Sequence, residues 1–422
     1  MRVSVPAATK QISYTDLYAR WERGNWRATE IDFSQDRIDW HERMTPEQRR
    51  SALWLYSLFF HGEDAVADDL SPYIDAAPLE EQKYFLTTQQ VDEARHSVLF
   101  QRFMNEVVGR GDGTPGGTLA ATADQLTWGH RKVFGRLERM ADELRRDRSP
   151  RKLAAAVTLY HIIVEGSLAQ PGQHMIERYL TEYDLLPGFR AGMANVAFDE
   201  QRHIAFGVRL LADLCEQDAG CADAIVETIR EVLPWTTAVA LPPGGDDTYT
   251  TAFGFTLEDL YEEGARMQEA RLRAIGLPVD ELPRFPLPMD LPPRERAARG
   301  LRLLRAGLIG PKRPEPADRD PDTMALVFDT IRRQADPSVV PPGTTVQWDF
   351  PDAEPWYLRC DNGSTAVAPG RAPRPDVTLR VAYDDFADVT ARRANPLKLM
   401  LQRRMRPSGD PRVLLKLGRL LG

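Results

Sequence analysis

From its N-terminal region to about residue 275 the chain spaces its apolar residues as helices do, and from Thr344 onward it alternates them as strands do. The first strong signal is Thr45-Pro46-Glu47-Gln48, a capping threonine with proline at the first helical position and a capping-box glutamine. Behind it, Ala52, Leu53, Leu55, Tyr56, Leu58, Phe59 and Phe60 are apolar almost all round, as a central helix requires. A second helix is predicted over roughly 79–108, closed by the glycine-rich stretch 109–117. A third, of mixed polarity, is expected over roughly 118–147 on the outside. Ser149-Pro150 opens a fourth, in which Pro171-Gly172 predicts a kink or local defect. Pro187-Gly188 opens a fifth, and residues 256–275 form another amphipathic helix. Upstream, residues 12–44 with Trp21, Trp26 and Trp40 read as a short helix and loop packed against the outside of a bundle.

The pattern then changes. Six prolines fall within 277–294, a short basic helix is predicted near 294–307, and Pro311, Pro314, Pro316 and Pro321 read as a stiff linker. Thr344 to Phe350, Trp356 to Cys360 and Val377 to Val381 read as strands, with a hairpin turn at Asn362-Gly363. Asp384 to Ala394 and Pro411 to Leu421 return to helix. The expected architecture is mainly α: a helical bundle over 1–310, a linker over 311–322 and a small α+β domain over 323–422.

Composition narrows the chemistry. A net charge of −8 argues against a nucleic-acid partner. The first 20 residues lack a signal-peptide core, and no run of 18 apolar residues occurs. Three scattered cysteines suit neither a disulfide framework nor a zinc site, and a reducing cytoplasm is expected. All seven histidines lie at or before residue 203, so imidazole chemistry belongs to the bundle.

Two of those histidines end copies of one pentapeptide, Asp92-Glu93-Ala94-Arg95-His96 and Asp199-Glu200-Gln201-Arg202-His203. Residues three apart share a helix face, so Glu93 with His96 and Glu200 with His203 each present mixed oxygen and nitrogen ligation for a divalent metal. One Glu-x-x-His is a weak signal, since charged helix faces contain it by chance. Here, however, Glu63 and Glu165 each stand one helix upstream, Glu63 between the apolar stripe and the small apolar set Ala65, Val66 and Ala67, and Glu165 as the one acid in an apolar run; a carboxylate in such a place is costly unless paired or ligating. The set Glu63, Glu93, His96, Glu165, Glu200, His203 is the di-metal carboxylate pattern of ferritin-like bundles. Asp92 and Asp199, four before each histidine, are placed to hold a ring N–H of the histidine on the facing helix.

Residues 10–290 resemble the ribonucleotide reductase small-subunit-like ligand-binding oxidases. The likeness rests on Ala28-Thr-Glu-Ile-Asp-Phe-Ser-Gln-Asp-Arg-Ile-Asp-Trp40, Gly62-Glu-Asp-Ala-Val66 and Thr87-Thr-Gln-Gln-Val-Asp-Glu-Ala-Arg-His96. The resemblance implies one manganese and one iron, dioxygen as oxidant and a long-chain fatty acid or other lipid as ligand. It implies a manganese-preferring half of Glu63, Glu93 and His96 and an iron half of Glu165, Glu200 and His203. It also implies an ether cross-link whose matching residues are Val66 and Tyr160. Val66 shares a face with Glu63, but Tyr160 lies five before Glu165 and reaches that face only through a π-helical turn. The chain departs from reductase subunits, which store a radical on a tyrosine: Phe100 follows His96 by four and no tyrosine stands close. Gln173 stands where a pocket tyrosine is expected.

Residues 323–422 resemble the sterol carrier protein type two fold through Pro375-Asp-Val-Thr-Leu-Arg380, Asp384-Asp385-Phe386, Asn395-Pro396 and Gly409-Asp410. That implies an apolar lipid-binding tunnel without catalytic residues. Nine basic residues from Arg392 to Arg419 face only Asp410 as an acid, a composition suited to an anionic membrane surface. The expected function is a dioxygen-activating Mn/Fe oxidase on a fatty-acyl or lipid ligand, served by an unidentified electron donor, with a homodimer as the expected assembly. The alternatives are a di-iron hydroxylase or desaturase on the same scaffold, with two iron ions, and a non-catalytic lipid-binding metalloprotein.

Overall fold

The computed structural model describes residues 12–280, 285 and 287–421. Pro283 and Pro286 of the proline-rich stretch lie outside them. The chain divides into two compact units, Met1–Val232 with Val239–Val279, and Leu233–Ala238 with Asp280–Gly422.

In the first unit, α1 (Tyr14–Arg23) is capped by Ser13 and α2 (Pro46–Asp69) by the full Thr45/Gln48 capping box. Helix α3 (Glu80–Phe103) runs on as a π turn over Met104–Val108 and stops at Gly109, whose φ of +73° favours glycine. The expected third helix is broken. Pro115–Thr122 and a 3-10 turn precede α4 (Trp128–Arg146), because Thr127 accepts the His130 N–H and starts a new helix. Helices α5 (Pro150–Glu182), α6 (Pro187–Gln217) and α7 (Leu257–Ile275) complete the frame. Helix α2 packs on α3, and the middle of α5 packs on α6 and α7.

Helix α2 is apolar all round because it is enclosed: Tyr56 meets Phe189 with ring centroids 4.4 Å apart, and Phe189 meets Phe103 at 4.3 Å. By length and composition α5 could cross a membrane, but 78% of its most apolar window is buried within the structure, which makes it a core helix. The hallmark stretch 28–40 anchors the start of α6. The Asp36 carboxylate accepts the Gly188 and Phe189 N–H groups, and Asp39 accepts that of Leu186. A Cβ at Gly188 would meet the Asp32 carbonyl at 2.2 Å, so that approach needs glycine.

The expected defect in α5 is a π-helical segment over Thr158–Ala169, ahead of Pro171. Two groups hold it open. Ser167 Oγ donates to the Ile162 carbonyl five residues back, at 2.7 Å. Arg271 of α7 donates to the Gly166 carbonyl at 2.6 Å. A Cβ at Gly166 would lie 2.9 Å from Arg271 Nε, so this contact too depends on glycine.

In the second unit, β1 (Thr344–Asp349), β2 (Trp356–Cys360), β3 (Thr365–Pro369), β4 (Val377–Val381) and β5 (Met405–Gly409) form a sheet in the order β3-β2-β1-β4-β5. Only the β1–β4 pair is parallel. Phe328 stacks on Trp356 and Phe386, with centroids 4.8 and 5.6 Å away, at the centre of the core. Pro321 is not linker: it is the first residue of a helix, Pro321–Gln334, capped by Asp320. The basic helix Pro293–Arg305 belongs to this unit rather than extending the bundle to residue 310, with Arg299 2.6 Å from Asp329. The final predicted helix is two short ones, Pro411–Leu414 and Leu417–Leu421.

Candidate metal centre

Helices α2, α3, α5 and α6 bring all six acidic and imidazole groups into one buried cluster, with none more than 6% exposed. Their donor atoms form two groups, each spanning no more than 4.8 Å: Glu63, Glu93, His96, Glu200 and Glu93, Glu165, Glu200, His203. The two halves are therefore not separate triads, because Glu93 and Glu200 reach both. His96 Nδ1 lies 3.2 Å from Glu63, 3.4 Å from Glu93 and 3.7 Å from Glu200. His203 Nδ1 lies 3.2 Å from Glu93, 3.5 Å from Glu165 and 4.0 Å from Glu200.

Both imidazoles turn Nδ1 inward and Nε2 outward, and the pentapeptide's other residues explain why. Each aspartate meets the histidine of the other copy: His96 Nε2 is 3.1 Å from Asp199, and His203 Nε2 is 3.1 Å from Asp92. Each arginine bridges both aspartates. Arg95 pairs with Asp92 and, at 3.1 Å, with Asp199; Arg202 pairs with Asp92 at 3.0 Å and Asp199 at 2.5 Å. Two tryptophans complete the ring, Trp21 Nε1 donating to Asp92 and Trp26 Nε1 to Asp199, each at 2.8 Å. The outer carboxylates thus take the Nε2–H of each ring, which leaves the Nδ1 lone pair for a metal. Sequence reasoning placed the tryptophan segment outside the bundle and missed its bonds to the site.

The π segment places Tyr160 and Glu165, five residues apart, on the same face. Tyr160 OH donates to Glu93 at 2.6 Å. Gln89, also missed, ties the second half together. Its amide donates to Glu165 at 2.8 Å and to Tyr160 at 3.0 Å, while its carbonyl accepts from His161 at 3.1 Å. Burial pushes His161 down to about 3, so that imidazole is neutral and holds Gln89 in this orientation. Gly207 gives it room: a Cβ there would lie 2.3 Å from that of His161.

Val66 lines a narrow apolar cavity of about 90 Å³ that ends on the cluster. Glu63, Glu93, Glu165 and Glu200 form its polar end, and Leu58, Phe59, Phe134, Val164, Leu168 and Leu260 its walls. His130, also in the wall, donates to the Leu58 carbonyl at 3.1 Å and is held neutral by burial. Gln173 is buried in the second half of α5, just past the π segment, and neither of its amide atoms finds a partner among the described residues.

Four carboxylates and two neutral imidazoles would place a formal charge of −4 in this pocket. Burial pushes Glu63 and Glu165 up to about 7 and holds Glu200 well above the usual carboxylate range, so without a cation the cluster keeps protons. Burial also acts on Glu93, but His203 and His96 outweigh it and hold that carboxylate well below its usual range. Buried Glu93 Oε2, Glu165 Oε2, Glu200 Oε2 and His203 Nδ1 find no hydrogen-bond partner among the described residues. Two divalent cations would neutralise the pocket and satisfy these atoms, so the donor set fits a dinuclear metal centre.

Residues 7–235, more than half of the chain, match the family described as ribonucleotide reductase, small chain, and residues 330–422 match the SCP-2 sterol transfer family. Among solved structures the chain is similar to an R2-like ligand-binding oxidase from Sulfolobus acidocaldarius. That one is 29% identical, with 62% of this chain and 89% of the other covered and a TM-score of 0.53. It is also similar to a mutant R2-like ligand-binding oxidase with an anaerobically reconstituted Mn/Fe cofactor. The identity there is 27%, over 62% of this chain and 93% of the other, with a TM-score of 0.54.

Proposed function

The chain belongs to the ribonucleotide reductase small chain family and carries an SCP-2 sterol transfer domain, and from that premise we propose that it is a dioxygen-activating di-metal oxidase acting on a hydrophobic, acyl-type ligand. The observation that carries the reading is the pair of donor groups sharing Glu93 and Glu200 at the end of an apolar cavity. Glu63, Glu93 and His96 would hold manganese, and Glu165, Glu200 and His203 iron, with Glu93 and Glu200 within reach of both. The Mn/Fe cofactor of the similar oxidase supports that choice over two irons.

Bound metals supply Lewis acidity and redox equivalents. The protein's own residues do the rest. Asp92 and Asp199 fix the imidazole tautomers, and the six groups are buried at the end of apolar walls from α2, α4, α5 and α7, which limit the access of water. An acyl carboxylate would sit at the polar end, with its hydrocarbon along the apolar walls. At about 90 Å³ the cavity accepts only part of a long acyl group as it stands, well short of the several hundred Å³ of an ordinary ligand pocket. Phe59, Phe134 and Leu168 are the side chains to move. The tethered carrier domain raises the local concentration of a poorly soluble ligand, and an external donor supplies electrons.

The same centre is proposed to join Val66 to Tyr160. One carbon-bound hydrogen of the Val66 isopropyl group and the Tyr160 hydroxyl hydrogen are lost, a C–O bond forms, and two electrons pass to dioxygen. Protein loaded with manganese and iron without oxygen and then aired is expected to yield one linked peptide, lighter than its parts by two hydrogens. Separate, unmodified peptides from fully metallated protein would contradict the cross-link. Mass spectrometry of small molecules released from the same sample is expected to show a fatty acid, and release of none, with no dioxygen uptake on repeated reduction, would contradict the oxidase reading.

A further inference from the structure

Among the described residues, the three most exposed large apolar side chains are Leu415 at 87%, Leu401 at 86% and Leu397 at 65%. All fall in the last 26 residues. Leu397 and Leu401 are four apart on the helix Pro396–Leu401 and so share one face, while Leu399 between them is buried and pins that helix to the core. This helix packs against β5, as does Pro411–Leu414, the short helix that Leu415 follows. Strand β5 is an edge of the sheet, paired only with β4. Two of these leucines thus lie on the short helix just before the edge strand, and the third follows the short helix just after it.

The charges around them are mostly positive. Lys398, Arg403, Arg406, Arg412 and Lys416 are exposed, and none makes an ion pair with a described residue. Arg404 is spoken for by Asp385, and Asp410 accepts the Arg412 backbone N–H as a helix cap. Arg403 sits at φ +59°, a left-handed position that glycine fills without strain. Single exposed leucines are ordinary. Leucines interleaved with unpaired cations match an anionic bilayer, where apolar side chains enter the acyl boundary and cations meet phosphate.

We propose that the helix Pro396–Leu401 and the adjoining β5 edge dock the C-terminal unit reversibly on an anionic lipid surface. Leu397, Leu401 and Leu415 enter the bilayer, and Lys398, Arg403 and Arg406 contact headgroups. The inference is independent of what the metal centre catalyses.

The test uses full-length protein and sedimented vesicles of phosphatidylcholine with or without phosphatidylglycerol. Binding is expected to the anionic vesicles alone and to fall as salt rises. The double variant L397E/L401E is expected to lose about tenfold or more in partitioning, given the apolar area it withdraws and the charge it adds. Its thermal melt is expected to match the parent's, because both side chains are exposed. R403E/R406E is expected to weaken binding and flatten the salt dependence. Failure of the parent protein to bind anionic vesicles at low salt would overturn the proposal. So would full binding by a folded L397E/L401E protein. A parent that ignores vesicles but changes oligomeric state with L397E/L401E would make this edge a contact between copies instead.

Discussion

Glu63 stands on a regular α-helix and Glu165 on a π-helical segment, yet each brings its carboxylate beside the histidine of one pentapeptide, 3.2 Å from His96 and 3.5 Å from His203. On α2, ordinary helical spacing puts Val66 one turn from Glu63 along the same cavity wall. On α5, the widened turn aligns Tyr160 with Glu165, and it needs Ser167, Arg271 and Gly166 to hold it. Near-equivalent donor sets thus rest on a backbone that holds itself on one side and on one that outside contacts hold on the other. A regular helix gives two partners one turn apart; a π segment brings a further group, the phenol, to the face that carries Glu165.

The largest effects should follow from the residues that the halves share. Glu200→Ala removes a donor from both groups and is expected to abolish binding of both metals, whereas Glu63→Ala should leave one ion per protein molecule, measured by elemental analysis. A Glu200→Ala variant that retains two ions would break the shared geometry. Next come the crossed aspartates. Asp92→Asn should weaken the ion beside His203, and Asp199→Asn the ion beside His96, each by about 10–100-fold in affinity. Titrations in which each variant weakened the ion of its own copy would contradict the crossing. The smallest effect tests the asymmetry itself. Arg271→Met strips the donor from the Gly166 carbonyl and is expected to cost about 1–3 kcal/mol in thermal unfolding. It should also reduce Val66–Tyr160 linkage while leaving the Glu63 side metallated; linkage at the parent level would show that the π segment holds without help.

The same contrast decides what was legible in the sequence. The clustering of the six acidic and imidazole groups was, because each follows from helical period plus an acid in an apolar run, and the need for a π turn followed from the five-residue gap between Tyr160 and Glu165. That Glu93 and Glu200 face both halves was not legible, since it depends on how close four helices come. Trp21, Trp26 and Gln89 carry no local mark: an indole in a mixed stretch and an amide on a charged helix become specific only when an aspartate or a phenol arrives from elsewhere in the sequence. In the second unit β1, β2 and β4 were read from alternation, whereas β3 and β5 were missed. These are the edge strands, and Pro369 and Pro407 sit in them because an edge tolerates a residue that cannot donate to a ladder. Proline misled once more at Pro321, where Asp320 before it was the signal of a capped helix.

The central claim is that two unlike metals occupy one carboxylate cluster. Elemental analysis of protein loaded without oxygen from equal manganese and iron, washed and then aired, tests it most directly. One manganese and one iron per molecule is the predicted result; two irons, or no metal retained by the parent protein, would contradict it.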